Sequence, residues 1–295
     1  MTKPSKQVAT PCLTAGKESL TLLLQVCLGA GLWLVLLIWL APLGLQDLLT
    51  GQSIPAFWQN LYLLGLYLWL GGCLQLSQRR SGQQWLAWGL GKGWYKQILP
   101  AFGWGLLMFG CLWFWGYSSG QLADLQGSNS ALGSLPPSEW QRRLWLCLIS
   151  LFSAWALASI EEVLFRGWLW QVWLPALGPR KTVLLQALVF SAVHGESWQS
   201  GWLALHLFLI GLLLGGLRHV TGRLGASMGL HAGWVWAVLC LGQLGLLASP
   251  HGTYNPLREG PTLLIWLGPL AWVTFQWLRN EAESAKHAAG SASVA

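Results

Sequence analysis

Ser159-Ile160-Glu161-Glu162-Val163-Leu164-Phe165-Arg166-Gly167 sets two carboxylates and a guanidinium inside an apolar run that spans 143–173. A central charge in a bilayer costs about 2.5–3.5 kcal/mol on insertion scales, so such groups pair or face a polar cavity. Helical spacing decides which of them pair. Glu162 and Arg166 are four residues apart and share a face, whereas Glu161 is turned by about 100° from Glu162. The spacing predicts that Arg166 neutralises Glu162 and leaves Glu161 to a cavity.

Working outward, apolar runs also cover 20–41, 56–76, 98–117, 182–195, 201–217, 225–247 and 261–278. A helix needs about 20 residues to cross the hydrocarbon. The expected fold is therefore all-α, a polytopic membrane protein with about eight transmembrane helices and an active site in a cavity among spans 4, 5 and 7. The composition agrees: 54% of the 295 residues are apolar and 9% are charged. Ordinary soluble domains carry about 25% charged residues, so a cytosolic enzyme and a disordered chain are excluded. The net charge of +7 then reports orientation rather than a nucleic-acid partner. With the N-terminus inside, thirteen of the seventeen Lys and Arg residues fall in cytoplasmic segments. This bias predicts cytoplasmic N- and C-termini. The first run is longer than a signal-peptide core, and no cleavage site follows it, so it reads as a retained anchor. A bacterial inner (plasma) membrane is the expected location.

The expected organisation is a polar cytoplasmic tail at 1–19, then spans 1–3 with a long outside loop at 20–142. Spans 4–8 occupy 143–279, and a flexible tail occupies 280–295. The stretch from Gln84 to Leu99, with Trp85, Trp88, Trp94 and Tyr95, reads as an amphipathic element at the headgroup level. The six cysteines are scattered, without a CxxC pair, and read as small hydrophobes.

Two further spans carry histidine. Phe190 and His194 are four residues apart at the end of span 5. In span 7, Gly225, Gly229 and Gly233 form a small-residue ridge suited to close helix packing. His231 lies about 200° around from Gly229 and points away from the ridge. Gly211 and Gly215 make a similar pair in span 6. At 1.5 Å per residue, Glu161, His194 and His231 fall roughly 10–20 Å from the same membrane boundary. His206 reads as an interfacial hydrogen-bonding residue.

The ordered set Glu161-Glu162-Val-Leu-Phe-Arg166, Phe190-Ser-Ala-Val-His194 and His231 resembles the motifs of the CAAX-protease and bacteriocin-processing (CPBP, or Abi) family of intramembrane proteases. The resemblance covers about 143–240 as the catalytic core, and the span count is similar to that of the Ras-converting CAAX endopeptidase. It implies a CAAX-type intramembrane endopeptidase, a hydrolase acting on a membrane-associated protein or peptide. It further implies that Glu161 and His194 activate a water while His231 holds the oxyanion, with Glu162, Arg166 and Phe190 in support. A carboxylate in an apolar cavity suits general-base work, and a positioned donor suits the oxyanion. The family's third motif is HxxxN or HxxxD, whereas Val235 stands four residues after His231. Activity therefore turns on a substitute donor such as Ser191, Ser227 or a backbone N–H.

Two mechanisms are open. A metalloprotease would use Glu161, His194 and His231 as a His₂Glu zinc set, although the sequence has no HExxH. The favoured mechanism is a metal-free glutamate-activated water, with no cofactor. The alternative functions are a non-catalytic protein on the same scaffold, in bacteriocin immunity or scaffolding, and an ion-coupled transporter. The transporter would need an internal repeat, and none is found.

Overall fold

The computed structural model describes residues 11–40, 56–81, 86–122, 136–194, 198, 200–249, 252–253 and 255–292. Residues 1–10 of the expected tail, most of the long outside loop, Gln84, Trp85, Glu196 and His251 lie outside the described residues. Helices α1 (Pro11–Leu40), α2 (Ala56–Ser81), α3 (Ile98–Ser118), α4 (Pro137–Glu162), α5 (Trp170–Val193), α6 (Gly201–Thr221), α7 (Gly225–Gln243) and α8 (Leu267–Ala292) form the framework. A π-helical segment, Val163–Leu169, joins α4 to α5. A single two-residue ladder pairs Ala248–Ser249 with Gly252–Thr253.

Four helical segments among the described residues are long and apolar enough to cross a membrane: Leu86–Ser118, Pro137–Val193, Gly201–Thr221 and Gly225–Gln243. They contain the expected spans 3 to 7. Pro137–Val193 holds two of these spans, because the backbone breaks at Gly178 (φ 73°, ψ 169°). A positive φ at this position suits glycine, and the following Pro179 cannot continue the preceding hydrogen-bond ladder.

The chain divides into two compact units: Met1–Trp85 with Gln171–Gly178, and Leu86–Trp170 with Pro179–Ala295. In the first unit, α1 and α2 form a hairpin closed by a reciprocal fit. The Trp69 indole fills the space a methyl on Gly29 would need, and the Trp33 indole does the same over Gly65. Trp69 Nε1 also donates to the Gln25 carbonyl at 2.9 Å, and Trp173 Nε1 to Ser19 Oγ at 2.9 Å.

The second unit is built on α7. The ridge Gly225, Gly229 and Gly233 lies against the carbonyls of Trp94, Ile98 and Phe102, so no Cβ fits at any of the three positions. Gly105 on α3 answers in kind, against the backbone of Leu230 and Trp234. This backbone-to-backbone approach explains why α3, grouped by sequence with the first two spans, belongs to the unit of α4 to α8. Gly211 on α6 meets Ala187 on α5, and Gly215 meets Val183.

Three segments differ from their sequence readings. The stretch after Gln84 is not a surface helix: Trp88 is fully buried and lies against Gly167, and a 3₁₀ turn at Trp94–Gln97 leads into α3. Helix α1 already begins at Pro11, within the expected polar tail. Residues 280–292, expected to be flexible, continue α8. This part of α8 is rich in Ala, and Arg279 pairs with Glu283 four residues on. Glu281 accepts from Arg180 at 2.7 Å and from the Trp277 indole at 2.8 Å. These bonds hold its carboxyl below the usual carboxylate range.

Gly229→Leu tests the ridge. It should force α7 off the Ile98 carbonyl and cost about 3 kcal/mol or more, read as a lower unfolding temperature in detergent. Gly110→Leu, at a position with open space around it, should leave that temperature unchanged.

Candidate active site

Glu161 and Glu162 end α4, and Arg166 lies in the π-helical segment that follows. Two buried side chains brace its carbonyls: Gln186 Nε2 donates at 2.6 Å to the Phe165 carbonyl, which also accepts from the Trp170 N–H, and Arg218 Nε donates to the Arg166 carbonyl at 3.0 Å. Arg218 also reaches the Ala87 carbonyl, and its guanidinium lies 5.6 Å from the Trp170 ring centroid. A residue counted by sequence among the cytoplasmic boundary charges is thus a buried strut, 5% exposed.

Arg166 and Glu162 are both wholly buried, joined at 2.8 Å between Nη1 and Oε1, which is the expected pairing. The other arm of Arg166 donates to the Gly211 carbonyl at 3.2 Å. Its Cζ sits 4.6 Å from the centroid of the Phe190 ring, within cation–π range. The same Glu162 oxygen also bonds His231 Nδ1 at 3.1 Å. Ser227, buried one turn before His231, lies within reach of Glu162 as well.

Glu161 is turned away from this knot and is partly open, its side chain 13% exposed. Its Oε2 lies 3.9 Å from His231 Nε2. His194 caps the C-terminus of α5 in an extended conformation. Its Nδ1 bonds the Phe190 carbonyl at 2.7 Å, and its ring lies 4.6 Å from the Phe190 ring. Phe190 is the common wall. It also meets His231 at 5.9 Å and Phe165 at 5.4 Å. Six residues singled out by sequence therefore gather about one aromatic ring and one ion pair.

The hydrogen bonds assign the tautomers. A carbonyl only accepts, so His194 Nδ1 carries its proton and leaves the Nε2 lone pair available. A carboxylate paired with Arg166 also accepts, so His231 Nδ1 donates to Glu162 and turns Nε2 toward Glu161. Glu161 and His231 Nε2 then face each other as a pair able to share one proton.

The His₂Glu zinc set expected as an alternative is not assembled. No group of three His, Cys, Asp or Glu side chains among the described residues converges as a metal-ligand set. Nδ1 of His194 is engaged by the Phe190 carbonyl and Nδ1 of His231 by Glu162, and each ring keeps its Nε2.

Two contributors escaped the sequence reading: Gln186 and Arg218. For Gln186 a signal existed, since Gln186, Phe190 and His194 recur every four residues, placing the lone amide of this run on the stripe of the site. His206, read as interfacial, is wholly buried and accepts from the Trp266 indole at 2.7 Å.

Residues 143–237 match the family model of Rce1-like proteins, type II CAAX prenyl endopeptidases, in agreement with the CPBP resemblance of the motifs. The match contains every residue of the cluster together with Val235. No curated protein and no solved structure matches the chain.

Arg166→Leu should cost about 3–5 kcal/mol, because it strands the Glu162 carboxylate in an apolar interior. The double variant Arg166→Leu with Glu162→Leu should recover much of that loss. Thermal unfolding of the four proteins of this cycle is the measurement.

Proposed function

We propose that this chain, whose residues 143–237 fall in the Rce1-like family, is an integral-membrane endopeptidase that hydrolyses a peptide bond of a membrane-associated protein or peptide. The observation that carries the proposal is the partly exposed Glu161 opposite His231 Nε2, beside a buried Glu162–Arg166 ion pair. In this reading Glu161 takes a proton from water, with the His194 Nε2 lone pair orienting that water. The resulting hydroxide attacks the scissile carbonyl carbon, and the oxyanion is held by His231 Nε2–H. The proton on Glu161 then passes to the leaving amine, so water and peptide give one carboxylate and one amine. Phe190 keeps the two imidazoles apart and excludes bulk water. No metal takes part.

Val235 supplies no second oxyanion donor. Glu162 offsets this loss, because its bond to Nδ1 fixes the His231 ring with Nε2 on the side of Glu161. The proposed setting is eight spans in a bacterial inner membrane with both termini cytoplasmic. A membrane-tethered substrate then reaches the cavity within the bilayer.

The test is cleavage of membrane-tethered reporter peptides by the purified protein. Glu161→Ala and His194→Ala should each lower the rate by at least about 10²–10³-fold, and a zinc chelator should leave it unchanged. Val235→Asn should raise the rate about tenfold or more, since it restores a donor of a kind worth about 10²–10³-fold elsewhere. Full activity in Glu161→Ala would overturn the assignment. The second reading, a non-catalytic immunity or scaffold protein, is favoured only by Val235. It predicts protection or binding that survives Glu161→Gln.

A further inference from the structure

Away from this site, α1 and α2 face each other along one stripe each. On α1 the stripe is Lys17, Thr21, Gln25, Gly29 and Trp33, at intervals of four; on α2 it is Gly65, Trp69, Cys73 and Ser77, with Arg80 beyond. Residues four apart share a helix face. The lower half of this seam is shut by the two Gly–Trp pairs. The upper half is open. A cavity of about 330 Å³ lies there, lined by Lys17, Glu18, Thr21, Leu22, Gln25, Ser77 and Arg80.

Two features set this cavity apart from an ordinary charged helix end. First, Thr21 and Gln25 lie inside the apolar run that starts at Leu20, yet they are turned into the seam and not replaced by the small or aromatic residues used one turn further on. Polar side chains within a span mark a cavity or ligand path. From Lys17 to Gln25 the polar wall descends about 12 Å along α1. Second, the mouth carries both signs of charge: Lys17 and Arg80 are cationic and Glu18 is anionic. The floor is apolar at Leu22, which is 5% exposed.

We propose that this cavity binds the headgroup of a zwitterionic aminophospholipid, a phosphoethanolamine ester. Lys17 and Arg80 take the phosphate. Glu18 takes the primary ammonium, and the acyl chains leave along the apolar faces of the hairpin. Bidentate Arg–phosphate contacts and Lys–phosphate contacts are charge-assisted and strong. The polar/apolar boundary at Ser19–Leu20 puts the mouth at headgroup depth. Charge complementarity selects this lipid. An anionic headgroup leaves Glu18 opposed to negative charge, and a trimethylated headgroup cannot donate hydrogen bonds to it.

The test is native mass spectrometry of the full chain with phosphatidylethanolamine, phosphatidylglycerol and phosphatidylcholine as probes. Water-soluble O-phosphoethanolamine serves as competitor. One phosphatidylethanolamine should be retained in preference to the other two. Lys17→Ala with Arg80→Ala should weaken its retention about tenfold or more. Glu18→Gln should abolish the preference over phosphatidylglycerol while leaving phosphate binding. Displacement by O-phosphoethanolamine would identify the headgroup as sufficient; its failure, with lipid still retained, would assign the site to the intact lipid. Equal retention of the three lipids, or retention unchanged in the variants, would overturn the proposal. The substituted side chains are exposed, and helicity by circular dichroism checks that each variant is folded.

Discussion

A guanidinium wholly removed from water must be neutralised where it stands, and much of the second unit is arranged around that requirement. Arg166 meets it with the Glu162 carboxylate, the Gly211 carbonyl and the face of Phe190, groups drawn from α4, α5 and α6. A buried pair of this kind adds little net stability, since the desolvation of both ions consumes most of the Coulombic gain. Its value lies in position. Glu162 has one oxygen for both Arg166 and His231, so the pair fixes where α7 presents its imidazole. The two carboxylates thereby differ in setting: Glu162 is wholly buried against Arg166 and His231, while Glu161 is partly exposed.

The π-helical segment belongs to the same solution. The segment Val163–Leu169 keeps backbone bonds, with Trp170 N–H reaching the Phe165 and Gly167 carbonyls. Gln186 and Arg218 add side-chain donors to the Phe165 and Arg166 carbonyls, and Arg218 in turn reaches the Ala87 carbonyl beside Trp88. The irregular backbone is therefore braced by tertiary donors as well as by its own bonds. A single polar residue in span 5 and a single cation at the end of span 6 become structural necessities of the site on span 4.

Much of this was legible because it depends on helical periodicity. The partnership of Glu162 with Arg166, the turning away of Glu161, the stacking of Phe190 on His194 and the packing face of the Gly225–Gly233 ridge all follow from residues three to four apart. What escaped depends on tertiary partners. Nothing in the spacing says that the ridge packs on α3, nor that Arg218 turns inward rather than toward phosphate headgroups. His231 could be placed opposite its glycine ridge, but its bond to Glu162 joins residues 69 positions apart, and no local pattern encodes such a contact. The two imidazoles also differ in a way the spacing does not give: Nδ1 of His194 meets a backbone carbonyl and Nδ1 of His231 a carboxylate.

Those two bonds also give the imidazoles different characters. A carbonyl acceptor on His194 Nδ1 leaves the Nε2 lone pair to accept, the arrangement that orients a water. A carboxylate on His231 Nδ1 fixes that ring and presents Nε2 on the side of Glu161. A chain with Val235 in place of Asn or Asp therefore need not lose the oxyanion interaction, provided that Glu162 keeps its hold on His231. On this argument the dependence on Glu162 is greatest where the second donor is missing. Restoring Asn at 235 should make activity less sensitive to Glu162→Gln, which a double-mutant cycle on cleavage rate would resolve.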